Sequence, residues 1–232
     1  MENNKNAKGA NNNNFSKLNR RRNNALNRPR PYLNEKPTIL IVCEGKNTEP
    51  SYFKQFRLQS ATIKGTGFNT ISLVKEAIKL KQEYHYDQVW CVFDKDDNSD
   101  HLFNSAIYLA ENNNIKIAYS NQAFEYWLIL HFDDHQGGSM PKEEYHNRIN
   151  KILKPFGLSY NGKKSKLISE DFFNLLNSTD PKLQEKRIYL AIKRAKRNLS
   201  KHSHTTPAKA ESSTTIFNLV EEILKHANNF II

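Results

Sequence analysis

The sequence predicts an α/β fold in which helices flank a parallel sheet. Residues 38–43 and 88–93 are runs of β-branched and aromatic side chains, which is typical of strands buried on both faces of a parallel sheet. Between such runs lie segments with helical spacing of apolar residues, at the lengths expected for βαβ units. These observations predict a parallel sheet within residues 37–135, and the stretch after 136 is predominantly helical in pattern.

The first predicted elements alternate between strand and helix. Thr48 is a candidate N-cap for the first helix, which has Tyr52, Phe53 and Phe56 at helical spacing. Gly65 and Gly67 predict a turn that leads into a short extended piece. The elements predicted in the first half are a strand at 38–43, helices at 49–59, 71–83 and 101–112, strands at 88–93 and 115–119, and a short helix from 124.

The second half predicts helices and one polar loop. Gly137, Gly138 and Pro141 interrupt the alternating pattern. Helices are then predicted at 142–154, 166–177, 182–200 and 213–231, with a polar loop at 202–212. The predicted organisation is a tail at 1–36, an α/β core at 37–135 and a helical extension packed on that core at 136–232.

The N-terminal tail holds most of the excess charge. The chain has 232 residues and a net charge of +11, of which residues 1–36, with nine Lys or Arg and two Glu, contribute +7. This Asn-rich segment has few apolar side chains to bury, so it is predicted to be disordered. Its arginines at 20–22, 28 and 30 suit non-specific binding of RNA or DNA, and a purely solubilising tail explains the composition equally well.

Cysteine use and hydropathy predict a cytoplasmic protein. Cys43 and Cys91 both fall inside predicted buried strands, which favours reduced, packed thiols over a disulfide or a zinc site. No apolar run approaches transmembrane length, and the basic N-terminus lacks the apolar region of a secretory signal. GxGxxG, Walker A, HExxH and GxSxG motifs are absent from the sequence.

Two acidic motifs follow predicted strands and indicate a metal site. Glu44 ends the first strand, and Asp94 and Asp96 follow the strand at 88–93. Ligands bind at the carboxyl ends of strands in open α/β sheets, so these carboxylates are predicted to converge. In an extended Asp-x-Asp segment the two side chains point the same way, and hard oxygen ligands suit Mg²⁺ or Mn²⁺. Solvated carboxylates in surface turns are the alternative explanation.

Three further residues are candidates beside this site. Glu49 lies near a predicted helix N-terminus, where the dipole favours a carboxylate in any case. Glu125 is an isolated acid among aromatic residues and therefore needs a partner or a cation. Lys164 belongs to a Gly-containing basic loop at 160–166, where a lysine would neutralise a phosphate, although an ordinary solvated loop has the same composition.

The helix predicted at 182–200 has a basic face. Apolar residues recur at helical spacing on one side, and the segment between Arg187 and Lys201 contains no acid. Such a face is most often solvated, but it also fits a phosphate-backbone footprint. The candidate nucleic-acid-binding residues are Lys193, Arg194, Lys196 and Arg197.

The chain resembles the RloB-like protein family. Residues 39–53, which read ILIVCEGKNTEPSYF, resemble the opening motif of that family, and residues 92–96, 120–132 and 212–220 match further motifs. The resemblance covers about residues 37–225. The chain departs from the family pattern at Gln122 and Ala123, where Pro followed by Cys or Ala is usual. This departure affects the entry to a helix and leaves the carboxylates unchanged.

The resemblance implies both a fold and an activity. RloB-like proteins are related to the Toprim fold of topoisomerases, primases and OLD-family nucleases, so the implied fold is a Toprim-like sheet with Glu44, Asp94 and Asp96 as metal ligands. Glu49 and Glu125 are implied as additional acids. The family is associated with phage-defence loci, often beside an OLD- or ABC-type ATPase, which implies a Mg²⁺-dependent nuclease acting on RNA, with tRNA as one candidate, or on DNA.

A second hypothesis is a non-catalytic adaptor. In it the acidic site is vestigial, and the tail and the basic helix bind nucleic acid or an ATPase partner. A topoisomerase or primase is disfavoured, because the chain is too short for a DNA gate and lacks a primase-type zinc module. The sequence leaves the oligomeric state open.

Overall fold

A computed structural model describes residues 36–138 and 140–227 of the chain. The disorder and the nucleic-acid binding predicted for the tail concern residues 1–35 and lie outside the described residues. The last part of the helix predicted at 213–231 also lies outside them. None of the helices within the described part of the chain is both long enough and apolar enough to cross a bilayer.

Within the described residues, five strands form one sheet in the order β2-β1-β3-β4-β5. The first four strands are mutually parallel, and β5 pairs antiparallel with β4. The α/β class predicted from the sequence is therefore confirmed. The strands are β1 (Ile39–Cys43), β2 (Ala61–Gly65), β3 (Gln88–Asp94), β4 (Lys116–Asn121) and β5 (Ser213–Thr214).

Eight α-helices accompany the sheet in the described part of the chain. They are α1 (Thr48–Lys54), α2 (Thr70–Glu83), α3 (Asp100–Asn112), α4 (Phe124–Leu130), α5 (Lys142–Leu153), α6 (Glu170–Asn177), α7 (Arg187–Ser200) and α8 (Ile216–His226). Short 3-10 turns at Lys154–Phe156 and Pro207–Lys209 complete the regular structure.

Helices cover both faces of the sheet, which explains the continuous apolar runs of β1 and β3. Ile39 and Ile41 point into a core shared with α1 and α4–α8, and Leu40 and Val42 point into a second core shared with α2 and α3. Each β1 residue is fully buried as a result. Helices α5–α8 enclose the first core, so the C-terminal half is part of the same apolar interior.

The two cysteines are free thiols that lie on opposite faces of the sheet. Cys43 belongs to the core beneath α1, and Cys91 belongs to the core beneath α2 and α3. Burial raises the pKa of Cys91 to about 12 and also raises that of Cys43. Both are therefore protonated packing residues, as expected from their strand positions.

The predicted boundaries are wrong at β2. The extended piece was expected after Gly67, but β2 lies before it and ends at Gly65. This edge strand is mostly exposed, so it lacks the buried apolar run that identified β1 and β3. Asn69, on the far side of the glycines, instead caps α2 by accepting a hydrogen bond from the backbone N–H of Ser72 at 3.1 Å.

Several helix boundaries also differ from their predictions. Helix α1 ends at Lys54 instead of 59, and Asn47, not Thr48, occupies its N-cap position. Helix α6 begins at Glu170 because the hydroxyl of Ser169 accepts from the N–H of Phe172 at 3.2 Å. Helix α7 begins at Arg187 instead of 182. The loop predicted at 202–212 is followed by strand β5, which the polar pattern did not indicate.

The large core beneath α4 predicts a strong response to truncation. Leu128 is fully buried within it, so Leu128→Ala is expected to lower the free energy of unfolding by about 2–5 kcal/mol. The matched control is Leu102→Ala in α3, because Leu102 is 48% exposed and its loss is expected to change stability by less than about 0.5 kcal/mol. Urea unfolding followed by circular dichroism measures both. Equal losses would contradict the assignment of α4 to the core.

Candidate active site

Glu44 and Asp94 meet where the strand order of the sheet reverses. Strand β2 lies on one side of β1, and β3 lies on the other, which makes the carboxyl edge between β1 and β3 the topological switch point. The N–H of Glu44 donates to the carbonyl of Val92 at 2.9 Å and continues the ladder beyond β1. The N–H of Asp94 then donates to Glu44 Oε2 at 3.3 Å. The parallel register thus brings the two predicted ligands together.

A cavity of about 380 Å³ opens at this edge. All the residues predicted as catalytic line it: Glu44, Glu49, Asp94, Asp96, Glu125 and Lys164. Lys166, from the same predicted basic loop as Lys164, lines it as well, and so do Lys46 and Lys142, which were not predicted. The cavity is therefore an acidic centre with cations around it.

Gly45 allows Glu49 to fold back over the end of β1. The N–H of Gly45 donates to Glu49 Oε1 at 3.2 Å, and Glu49 is buried in the first turn of α1. A Cβ atom at position 45 would lie 2.1 Å from Glu49 Oε2. Only glycine permits this contact, so the Glu44-Gly45 pair sets the position of a second carboxylate.

Asp96 does not lie beside Asp94 in the extended arrangement that was predicted. The chain turns after β3, and Asp96 adopts a left-handed conformation with φ of 43°. Its Oδ2 accepts from Lys142 Nζ at 3.0 Å. The expectation of two parallel aspartates on one extended segment is therefore wrong, because the backbone bends between them. Asp97 is exposed in the same turn.

Glu125 has the partners that its apolar surroundings require. Its Oε1 accepts from His146 Nε2 at 3.1 Å and from the hydroxyl of Tyr160 at 2.9 Å. The Tyr160 hydroxyl also lies 3.2 Å from Thr48 Oγ1. Burial alone raises the pKa of Glu125, but the hydrogen bonds from His146 and Tyr160 outweigh it and the net pKa is lowered. Glu125 is therefore held as an anion at the cavity wall.

The other carboxyls at the centre are harder to ionise. Burial is the largest influence on Glu44, and with Glu49 and Asp96 nearby it raises the Glu44 pKa to about 7. Burial, Glu49 and Glu125 raise the pKa of Asp94, while Lys142 and the backbone N–H of Phe124 oppose them. The pKa of Glu49 is also raised, chiefly by burial and then by the charge of Glu125. Crowded carboxylates of this kind are stabilised as anions by an added cation.

The donor chemistry fits Mg²⁺, although a ready-made cluster is lacking. Within the described ranges, no group of three or more acidic, histidine or cysteine side chains is arranged to hold a metal ion. Glu44, Asp94 and Asp96 share a cavity, but Asp96 is paired with Lys142. Mg²⁺ is commonly bound by one or two carboxylates together with waters and substrate phosphates, and Glu44 and Asp94 match that number of carboxylates.

Sequence reasoning missed the partners that come from distant elements. Lys142 begins α5, His146 lies one turn later, and Tyr160 lies in the loop before α6. Because Glu125 is an isolated acid among aromatic residues, the sequence indicated that its carboxylate needs a partner. Nothing in the local pattern around His146 or Tyr160 marked either one, because tertiary packing alone brings them to Glu125.

The predicted nucleic-acid-binding residues of α7 do not line this cavity. Lys193 pairs with Glu185 and Lys196 with Glu221, each at 2.7 Å. Arg194 donates to the carbonyl of Leu130 at 2.7 Å, and Arg197 pairs with Asp134. The acid-free segment from Arg187 to Lys201 did not reveal these contacts, because Glu185 lies just before α7, and Glu221 and Asp134 lie elsewhere in the chain. All four cations already have protein partners.

The raised pKa of Glu44 predicts a pH dependence of stability without divalent cations. Its ordinary pKa is 4.5 and its folded value is about 7, so the native state holds more protons between these values. The Glu44 contribution to the free energy of unfolding is therefore complete below about pH 4.5 and falls as pH rises to about 7. In EDTA, Glu44→Gln is expected to remove this decline relative to wild type. Parallel stability curves for the two proteins from pH 4.5 to 7.5 would contradict the shift.

The buried hydrogen bonds to Glu125 predict that loss of the Tyr160 hydroxyl lowers the stability of the protein. Tyr160→Phe removes a hydrogen bond to an ionised carboxylate and is expected to lower the free energy of unfolding by about 1.5–3 kcal/mol. Tyr84→Phe is the control, because Tyr84 is 55% exposed and its change is expected to have little effect. Denaturant titrations at pH 7 measure both. A Tyr160→Phe protein as stable as wild type would show that the hydroxyl does not hold Glu125.

Comparison with known proteins identifies the family of this chain. No curated protein and no solved structure gives a significant match. A family model described as RloB-like protein matches residues 39–223, which include β1, the acidic cavity and most of α8. Since the match covers most of the chain, the protein belongs to the RloB-like protein family.

Proposed function

We propose that this protein is a divalent-cation-dependent nuclease that hydrolyses phosphodiester bonds in RNA or DNA. The observation that supports it most is the meeting of Glu44 and Asp94 at the topological switch point, in a cavity that four lysines also line. Carboxylates suit Mg²⁺ or Mn²⁺, and lysines suit the phosphates of a nucleic acid. The relation of the family to Toprim nucleases, implied by the sequence motifs, agrees with this chemistry.

Glu44 and Asp94 are the proposed ligands of the cation, with Asp96 as a third once it leaves Lys142. When bound, Mg²⁺ or Mn²⁺ would polarise the scissile phosphate and stabilise negative charge on the leaving oxygen. Both carboxylates have raised pKa values in the absence of a cation, and both would be ionised in its presence. Metal binding is therefore expected to release protons near neutral pH.

Glu49 is a better candidate than Glu125 for the general base. In hydrolysis a water oxygen attacks the phosphorus, the water loses a proton, and the bond from phosphorus to the leaving oxygen breaks. A carboxylate with a raised pKa accepts that proton more readily than one with a lowered pKa, and burial raises the pKa of Glu49. The pKa of Glu125 is lowered by two hydrogen bonds, which suits a fixed charge at the cavity wall.

The lysines of the cavity are proposed to receive the nucleic-acid backbone. Lys46 lies beside Gly45, and Lys164 and Lys166 lie in the loop that faces it. Ammonium groups at these positions neutralise phosphate oxygens as point charges. Lys164 is the predicted member of this group, and its place in the cavity supports a role in steadying the charge that develops on the phosphate.

The biological setting is proposed from the family alone. RloB-like proteins are associated with phage-defence loci, so a cytoplasmic effector that cleaves nucleic acid, with tRNA as one candidate, is the corresponding role. An OLD- or ABC-type ATPase encoded nearby is the proposed partner. Co-purification of the protein with such an ATPase, with and without ATP, tests that association separately from cleavage.

Asp94→Asn is expected to abolish cleavage without unfolding the protein. The change keeps size and polarity but removes an anion from a crowded acidic centre, so the metal-free protein should be as stable as wild type or up to about 1 kcal/mol more stable. Metal affinity should fall sharply because Mg²⁺ prefers anionic oxygen. The control is Asp97→Asn, three residues away and exposed, which should cleave normally. Total tRNA and plasmid DNA with Mg²⁺, Mn²⁺ or EDTA are the substrates.

The outcomes separate the nuclease from the adaptor hypothesis. Cleavage by wild type and by Asp97→Asn, but not by Asp94→Asn, supports the nuclease. Equal cleavage by all three proteins would remove Asp94 from the mechanism. Nucleic-acid binding that needs no cation, without cleavage by any of the three, would favour the adaptor. The basic residues of α7 pair with acids in partly exposed contacts, so nucleic-acid binding at that helix would first have to displace those acids.

A further inference from the structure

Lys142 is the cation that faces the acidic centre of the cavity. It is the first residue of α5, and its Nζ lies 3.0 Å from Asp96 Oδ2. Asp94, Glu44 and Glu49 line the same cavity as Lys142, so its ammonium group faces their carboxylates as well. The charge of one ammonium group is thus shared among several carboxylates, which come from two strand ends and from α1.

The ion pair between Lys142 and Asp96 is weak enough to separate easily. The Lys142 side chain is 39% exposed and that of Asp96 is 42% exposed. A partly exposed ion pair contributes little to stability, because water competes for both charges. By contrast, the pair of Arg187 with Asp180 elsewhere in the protein is 6% and 17% exposed. A divalent cation carries twice the charge of an ammonium group and suits the same carboxylate oxygens.

We propose that Lys142 is the internal counter-ion of the acidic cavity, that a divalent cation displaces it, and that its ammonium group then binds a phosphate of the nucleic acid. The inference rests on the proposed metal-dependent activity and adds to it a residue that couples cation binding to substrate binding. Lys142 would hold the carboxylates together before the cation arrives and would turn to the substrate afterwards.

The surroundings of Lys142 favour its binding to a phosphate once a cation has displaced it from Asp96. Lys46, Lys164 and Lys166 line the same cavity, so the displaced ammonium group would join three other cations at its wall. A lysine side chain has a flexible four-carbon stem and acts as a point charge, which allows it to change partners without movement of the helix. The phosphate would thereby replace Asp96 as the anion next to Lys142.

The test compares Lys142→Met with Lys163→Met. Methionine keeps the length of the side chain and removes its charge. Lys163 is the matched control because it also pairs with a glutamate, Glu143 at 2.6 Å, but is exposed and does not line the cavity. Calorimetric titration with Mg²⁺ measures cation affinity, and Glu44→Gln verifies that the measured site is this one. Fluorescence anisotropy with labelled single-stranded RNA and DNA, with saturating Mg²⁺ or with EDTA, measures substrate binding.

Lys142→Met is expected to bind Mg²⁺ about three- to fivefold more tightly than wild type, the size of a partly exposed ion pair. At saturating Mg²⁺ it should bind the labelled strands about three- to fivefold more weakly, and Lys163→Met should match wild type in both measurements. Thermal melting verifies the fold, and Mg²⁺ should raise the melting temperature of Lys142→Met more than that of wild type.

Each departure from this pattern overturns a stated part of the inference. If Lys142→Met and wild type bind Mg²⁺ equally, Lys142 does not compete with the cation, while the proposed nuclease stands. If strand binding at saturating Mg²⁺ is equal, Lys142 does not receive a phosphate. If neither protein binds Mg²⁺ or Mn²⁺ at a site that Glu44→Gln removes, the proposed function fails together with the inference.

Discussion

The parallel pairing of β1 with β3 is the constraint on which the site depends. Cys43 lies opposite Val92 in the register, so Glu44, one residue after Cys43, and Asp94, two residues after Val92, arrive at the same edge of the sheet. A slip of one residue would point each side chain at the other face and would put the buried run of β1 out of phase with both cores. The apolar packing of the strands therefore fixes the spacing of the carboxylates that follow them.

The protein accommodates several acidic side chains in one cavity because their charges are stabilised or neutralised in different ways. Glu125 is satisfied by hydrogen bonds from His146 and Tyr160 inside the protein. Asp96 is satisfied at the surface by Lys142, in a contact that water shares. Glu44, whose pKa is near 7, is partly protonated when no cation is present. The site thus contains one permanent anion and several that respond to what enters the cavity, a combination that suits the binding of a cation together with a polyanion.

The sequence predicted those parts of the fold and site that follow from local pattern. Strand β1 is apolar throughout and β3 is apolar from Val89 to Phe93, so both strands and the carboxylates at their ends could be located from the chain alone. Strand β2 was not located correctly because an exposed edge strand lacks a continuous apolar run. A different reason explains why the sequence did not predict Lys142, His146 and Tyr160 as partners at the site. Lys142 reaches the cavity, and His146 and Tyr160 reach Glu125, only through the packing of α5 and the loop after it, and no spacing along the chain encodes that approach.

The pairing of β5 with β4 has a consequence for the order in which the protein is made. Ser213 and Thr214 complete the edge of a sheet whose other four strands are finished by residue 121. During synthesis β4 therefore emerges long before its last neighbour, and its outer edge stays open while some ninety residues are added. An open edge is a template for pairing with other chains. A nascent chain halted before position 213 would expose that edge, which makes the late strand a closing step for the whole molecule.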